Sequence, residues 1–464
     1  MIYTYFKTLA LQPMLQPEKR DLRVSIGYRH ILRIALPISG AIIVPQINFI
    51  TNNIFLGGLN QQALAAAGIT GVYYLVFAVV GIGLNNGMQA LIARRAGENR
   101  IDEIGSLFAQ GVVIALIFAL IGMLITWIFA PFFLKWALHD QEIIHLSIRF
   151  LNIRIVGLVF LYLYQLRNAL LVGTNQSKFL IWGALAETIA NILFDYGLIF
   201  GKYGLPRLEF NGAAYASVIA EFTGLIVIFF VIHLKGISNE FELFKHFKFS
   251  KSKTKLILVQ SAPLIGQFGI SIFSWQIFYI LIEHHGARDL AISNIMRSVF
   301  GIFGCFTWAF AATTSTMVSN IIGQGMQDKV ILLIKKIIHL SFAFSLMACL
   351  LLNIFPTVFL SIYRQGDDFN NAAIPVLRII TTALLIMSVS VVWLNAITGT
   401  GNTRINLIIE ILAILFYLIY VYIILEKLNL PITYGWLSEW IYWGTILIPS
   451  YCYIRSGRWK NKVI

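Results

Sequence analysis

The sequence predicts an all-α membrane protein. It has twelve transmembrane helices in two six-helix lobes, related by a pseudo-twofold axis along the membrane normal. Three observations predict this: a composition too apolar for a soluble chain, a series of apolar runs of membrane-spanning length, and a repeat that maps one half of the chain onto the other.

Of the 464 residues, 58% are hydrophobic and only 12% are charged, and the mean hydropathy is +0.78. A soluble domain is about 45–50% apolar and about 25% charged, because its surface needs charge to stay solvated. The net charge is +14. On a soluble protein that would suggest nucleic acid, but here the basic residues lie in short segments between apolar runs, as membrane orientation requires. No basic segment carries a recognition motif, so nucleic acid is not an expected partner; the lipid bilayer is. The three cysteines, Cys305, Cys349 and Cys452, lie far apart in apolar runs, which fits neither a disulfide framework nor metal-ligand spacing.

A membrane-spanning helix needs about 20 mainly apolar residues. Such runs occur near 31–56, 66–93, 104–130, 146–172, 179–200, 212–234, 255–282, 290–322, 331–360, 372–398, 405–425 and 434–454. Residues 1–30 precede them and carry Lys7, Lys19, Arg20, Arg23 and Arg29 against Glu18 and Asp21. They read as a cytoplasmic, partly amphipathic arm rather than a cleavable leader. The first connection, 57–62, has no charge, whereas the second holds Arg94, Arg95 and Arg100. The sixth holds Lys235, Lys245, Lys248, Lys251, Lys253 and Lys255, the eighth Lys329, Lys335 and Lys336, and the C-terminus Arg455, Arg458, Lys460 and Lys462. The opposite connections are poorer in Lys and Arg. By the positive-inside rule both termini are cytoplasmic, in a multi-pass protein of the cell inner membrane. An even number of spans follows, in agreement with the twelve apolar runs.

The basic segment also divides the chain: 1–30 arm, 31–234 N-lobe, 235–254 cytoplasmic linker, 255–454 C-lobe, 455–464 cytoplasmic tail. Ala35-Leu36-Pro37-Ile38 is echoed by Ser261-Ala262-Pro263-Leu264, Gly97 by Gly323, and Arg154 by Arg378. Asn168-Ala169 then Gly173-Thr174 is echoed by Asn395-Ala396 then Gly399-Thr400. The separations all fall at 224–227 positions, so this is one repeat rather than scattered matches. Six helices return the chain to its starting side, so both halves have the same orientation. That architecture recurs in secondary transporters, where two bundles rock about a site.

Charges inside hydrocarbon cost about 2.5–3.5 kcal/mol each on insertion scales, so those that persist are candidates for function. Glu187, Asn191 and Asp195 lie in the fifth run at i, i+4 and i+8. Each step drifts by about 40°, which keeps the three on roughly one helix face. Glu221 lies near the middle of the sixth run, and the first run adds Gln46, Asn48, Asn52 and Asn53. A carboxylate in a low-dielectric cavity can exchange a proton in the physiological range. With amide oxygens beside it, it can instead coordinate a hard cation such as sodium. The bland alternative is hydrogen bonding between neighbouring helices. Arg154 and Arg378 read as residues that snorkel or cap polar groups within their own lobes. Pro37, Pro45 and Pro263 allow bends inside spans. Trp275, Trp308 and Trp393 lie well inside spans, where aromatic faces suit flat or cationic ligands, although packing accounts for any single one.

Several segments together resemble multidrug and toxin extrusion (MATE) transporters. They are Asn52-Asn53-Ile54-Phe55-Leu56-Gly57, Ala63-Leu64-Ala65-Ala66-Ala67-Gly68, Ala93-Arg94-Arg95-Ala96-Gly97-Glu98-Asn99, Arg167-Asn168-Ala169, and Asn191 through Gly201. The resemblance covers nearly all of the chain after residue 30. It implies export of a small, amphipathic or cationic substrate by a monomeric antiporter, driven by proton or sodium influx. In members with an N-lobe cation site, an Asn-x-x-x-Asp motif in the fifth helix supplies ligands; Asn191 and Asp195 match it. Those members also carry an aspartate in the first helix, where this chain has Asn52. The cation-coupling residues expected are therefore Asp195, Asn191, Asn52 and, as a partial replacement for the lost carboxylate, Glu187. Sodium, if used, would sit at Asp195 and Asn191. Gln46, Asn48, Glu221 and Trp275 are expected at the substrate cavity. Other members have an acidic residue in the middle of the seventh helix. Here that region reads Gly269-Ile270-Ser271-Ile272-Phe273-Ser274, which argues against a C-lobe site of that kind.

The competing readings are a flippase for lipid-linked saccharides or lipids in the same superfamily, a major-facilitator transporter, and a membrane enzyme. The second–third loop, Ala93 to Arg100, lacks the Gly-x-x-x-Asp-Arg pattern of the major facilitators. The chain has no Walker A sequence, no serine nucleophile elbow and no His-Glu-x-x-His pair, so no enzyme chemistry is expected.

Overall fold

A computed structural model describes residues 21–57, 59, 61–243, 245, 248–361, 363 and 365–462. The first twenty residues of the expected arm, Gly58 and Asn60 of the first connection, and the Asn53 side chain lie outside the described residues.

The long helices are α1 (Tyr28–Gly57), α2 (Gln61–Gly97), α3 (Ile101–Ala137), α4 (Gln141–Arg154), α5 (Gly157–Gly173), α6 (Leu180–Phe200) and α7 (Glu209–Leu234). They continue as α8 (Lys251–Glu283), α9 (Ala287–Gly323), α10 (Val330–Ile354), α11 (Asp367–Thr400), α12 (Thr403–Val421) and α13 (Ser438–Arg455). Among the described residues there is no β-strand. Among the described residues nine of these helices are long and apolar enough to cross a membrane, and ten if α4 and α5, bent by 46° to each other, count as one broken span. The chain is thus a multi-pass membrane protein. Helices α1 and α13 stand where the first and twelfth runs are expected. Helices α2, α3 and α9 have 37 residues each. At 1.5 Å per residue each is roughly 55 Å long, well beyond a hydrocarbon core of about 30 Å, so these helices tilt or project into the headgroups.

The break between α4 and α5 lies where a side chain of the sequence-distant helix α7 comes in. Arg154 ends α4, and its guanidinium reaches Glu221 on α7. A Cβ on Gly157 would collide with both side chains, so the chain turns aside where the ion pair needs room.

The same neighbours recur in the two halves. In the first, α6 packs on α1 and α7, while α5 packs on α2, α3 and α7. In the second, α12 packs on α8 and α13, while α11 packs on α9, α10 and α13. Between the halves, α2 packs on α8 and α9, and α1 on α9. The α2–α9 seam is tight. Gln89 Nε2 donates to Thr316 Oγ1 at 2.7 Å, Ser319 Oγ to the Ala90 carbonyl at 2.7 Å, and Arg94 to the Gly399 carbonyl at 3.1 Å. A Cβ on Gly97 would strike the Asn320 carbonyl, and one on Gly323 the Arg94 carbonyl, so both glycines allow backbone-to-backbone approach.

Residues 21–27 run extended along the same end of the molecule. Val24 N–H donates to Asn320 Oδ1 at 3.1 Å, Asn320 Nδ2 to the Leu22 carbonyl at 3.1 Å, and Lys336 Nζ to the Ile26 carbonyl at 3.0 Å. Leu22 and Val24 are buried, so this part of the arm is packed into the fold. His30 on α1 meets Asn175, between α5 and α6, at 3.3 Å.

Candidate functional site

The α6–α7 pair is closely packed because glycines line it: Gly212 lies under the Leu198 carbonyl, and Gly224 against Glu187. Helix α6 ends at Gly201, whose left-handed conformation (φ 68°) returns its N–H to the Gly197 carbonyl. This fixes Asp195 less than two turns from the helix end, with the α1 polar residues on the opposite wall.

Asp195 is fully buried and Asn191 nearly so. The Asn52 amide faces three oxygens, so it is assigned with its nitrogen toward them; in that orientation it bridges the helices, donating to Asn191 Oδ1 at 3.0 Å, to the Asn48 main-chain carbonyl at 3.3 Å, and to Asp195 Oδ2. Asp195 Oδ1 and Asn48 Oδ1 are buried without a hydrogen-bond partner. Among the described residues no basic side chain pairs with Asp195. The result is a set of oxygen acceptors from two helices around one uncompensated carboxylate. Buried oxygens of this kind fit a cation, either sodium or a proton on the carboxylate. Asn48 touches this group through its main-chain carbonyl.

Glu187 points elsewhere. A Cβ on Gly224 would meet its Cβ at 3.0 Å and its Oε2 at 3.4 Å, so it lies between α6 and α7, away from the Asn52 side. Glu221 is held by Arg154 through two bonds of 2.6 and 2.9 Å, and by Tyr74 OH at 3.1 Å; the guanidinium also lies 3.7 Å from the Tyr74 ring centroid. Glu221 is thus neutralised inside the first half, and Arg154 caps a polar group within its own half. Gln46 faces α9, with its Oε1 3.3 Å from a Cβ position on Gly301. Trp275 on α8 lies edge-on to Tyr279 at 5.5 Å, and the Arg297 guanidinium is 5.5 Å from its ring. Among the described residues no three His, Cys, Asp or Glu side chains gather as a metal cluster.

Two buried carboxylates in the second half escaped the sequence reading. Glu410 on α12 accepts from Ser271, Tyr442 and, at 3.3 Å, Gln267 Nε2. Glu439 on α13 accepts from Trp443 Nε1 at 3.1 Å. The rule that picked out Glu221, a lone carboxylate inside an apolar run, applies equally to Glu410.

A bundle of apolar helices with an uncompensated carboxylate among amide oxygens defines a multi-pass membrane transporter. The MatE family model matches the chain twice, over residues 37–197 and 263–423, and the chain belongs to that family. Its members are transporters, not enzymes, and act on small molecules. The two matched segments coincide with the repeat. The chain is similar to a probable multidrug resistance protein NorM from Synechocystis sp., at 25% identity, covering 83% of this chain and 85% of that one. A probable multidrug resistance protein NorM from Thermotoga maritima is 22% identical, with 94% of each chain covered. A MATE structure in complex with MaL6 superposes with a TM-score of 0.87 at 17% identity, covering 95% of this chain and 98% of that one. A MOP-superfamily transporter from Pyrococcus furiosus, described as having a binding pocket of reversed polarity that suggests a different function, superposes with a TM-score of 0.86 at 16% identity, over 97% and 99% of the two chains.

Proposed function

We propose that the chain is a secondary active exporter of amphipathic or cationic small molecules, driven by inward movement of sodium or protons. The observation that carries this reading is the Asp195–Asn191–Asn52 group, in which Asp195 Oδ1 is buried without a partner and, among the described residues, no basic side chain pairs with the carboxylate. A buried, unpaired carboxylate is costly, and a bound cation removes that cost. Asn52, where an aspartate is expected, donates to Asp195 and leaves one carboxylate in the group, which favours a single charge per cycle. Glu187 lies in the same half and faces α7, so it serves as a separate polar group rather than a ligand alongside Asp195.

The architecture proposed is twelve spans in two six-helix lobes, 31–234 and 255–454, joined by the basic linker 235–254. Both termini lie in the cytoplasm of a cell whose inner membrane holds the protein as a monomer. The recurring helix neighbours in the two halves support the twofold relation. The tight α2–α9 seam lies at the end that carries the termini, and the lobes rock about it to open and close a path.

The test is transport in liposomes with a sodium gradient or a proton gradient, imposed one at a time, and a fluorescent cationic dye as probe. Wild type moves dye with one of the two, which names the ion. Asp195→Asn lowers that movement by roughly tenfold or more. Glu187→Gln has a smaller effect. Equal transport by wild type and Asp195→Asn would show that the coupling site lies elsewhere.

A further inference from the structure

The second half of the chain holds a buried carboxylate built differently from those in the first. Glu410 is 1% exposed and sits mid-helix on α12. Its partners come from two other helices: Ser271 Oγ and Tyr442 OH both donate to Oε1, while Gln267 Nε2 donates to Oε2 at 3.3 Å. All three are neutral. Among the described residues no Lys, Arg or His pairs with Glu410, in contrast to Glu221, which is paired with Arg154.

These partners serve either protonation state. Serine and tyrosine hydroxyls donate or accept by turning the O–H, and a primary amide presents an acceptor in place of a donor by a half-turn. The Gln267 Oε1 atom is buried and has no partner. Oε2, with one long bond, is the less occupied carboxylate oxygen. A proton on it makes an O–H that a turned Gln267 amide accepts, and the orphaned oxygen is then satisfied. A metal cation suits this pocket poorly, because the neighbours offer hydrogens to the carboxylate where a cation needs free oxygens. The Asp195 group, with its unpartnered acceptors, has the opposite polarity.

We propose that Glu410 is an exchangeable-proton site in its own right, whose carboxyl group takes up a proton and returns it as the protein turns over. Ser271 is only half-buried, so one hydroxyl separates the carboxylate from accessible surface. The site reaches the seam through α8. Ser261 and Ile265, both within two turns of Gln267, pack against the bare backbone of Gly87 and Gly83 on α2. Loading or emptying Glu410 thus changes how α12 and α13 hold the helix that joins the two halves.

The ionisable groups around it are few. On α13 they are Tyr442 itself and Glu439, which is held by Trp443. On α12 it is Tyr417, 5.8 Å from Tyr442 ring to ring. On α8 it is Tyr279, with Arg297 of α9 5.9 Å from its ring. On α11 they are Asp367 and Asp368 in the first turn and Arg378 three turns further in.

The experiment is acid-minus-base infrared difference spectroscopy on the full chain in lipid nanodiscs, with protons as the only probe. Wild type shows a carboxylic C=O band that appears and disappears with pH. Glu410→Gln, which mimics the protonated form in shape, removes it; Asp195→Asn leaves it. Tyr442→Phe and Gln267→Leu shift its frequency, because the band reads the hydrogen bonds on the carboxyl, and they carry the test if Glu410→Gln does not fold. A titrating spectrum unchanged in Glu410→Gln, or a band frequency unmoved by both partner variants, overturns the proposal. The measurement needs no transport, so its failure and a failure of the Asp195 reading are separate results.

Discussion

Asp195 and Glu221 are carboxylates in the same half of the chain, and their surroundings treat them in opposite ways. Glu221 has a bidentate arginine and a tyrosine hydroxyl, an arrangement that locks the ionised form. Asp195 has one amide donor and a free oxygen. The difference makes a prediction about stability. Arg154→Ala leaves the Glu221 charge buried without its partner and costs about 3–5 kcal/mol, read as a fall in the unfolding temperature of the purified protein. Arg154→Met with Glu221→Leu removes both charges and recovers most of that loss. The same pair of changes at Asp195 has no partner to remove, so Asp195→Asn holds or gains stability while transport falls. The sequence made Asp195 and Asn191 legible because i, i+4 spacing on one helix is local. It left the role of Asn52 open, since whether an asparagine presents oxygen or nitrogen to a carboxylate depends on which groups face it. Glu221 and Arg154 were both visible as intramembrane charges, but their pairing spans 67 positions and comes only from the fold. Glu410, a lone carboxylate inside the eleventh apolar run, is legible by the same rule as Glu221.

At the scale of elements, the helix runs were legible because about 20 apolar residues in a row have few alternatives in a membrane chain. The break of the fourth run was not, because its cause is an ion pair with a distant helix rather than a proline or a glycine pair. The α2–α9 crossing rests on glycines that the repeat had already marked. Gly97 and Gly323 were recognised as equivalents, and the structure adds that each lies against the other helix's backbone. Adding bulk there forces the seam apart. Gly97→Val is expected to lower stability by about 1–3 kcal/mol and to slow dye transport several-fold. Gly68→Val, at a position where a Cβ meets nothing within 4 Å, is the matched control and changes neither. Measuring thermal unfolding and transport on both variants separates a packing fault at the seam from a general intolerance of valine.

At the scale of the whole molecule, the repeat and the loop charges were the informative signals. Both summarise many residues, so neither depends on placing one side chain. They predict an orientation that chemistry can check. In a background with Cys305, Cys349 and Cys452 replaced, a cysteine at Lys245 or Arg458 is labelled by an impermeant reagent only from the cytoplasmic side. One at Arg207 or Lys427 is labelled only from the outer side. Labelling of all four from one side would refute the crossings assigned to the sixth and twelfth runs.

The extended segment at 21–27 bears on how the protein is made. Val24 bonds to Asn320, which is 296 positions further along, and Ile26 bonds to Lys336, 310 positions on. At a synthesis rate of about 5–20 residues per second, this segment waits roughly 15–60 s before its partners exist. Leu22 and Val24, buried in the finished protein, spend that interval exposed at the membrane surface. Their docking then comes late in assembly, after the second half has been inserted, and a bulky fusion placed directly ahead of them interferes with completing the molecule rather than with starting it.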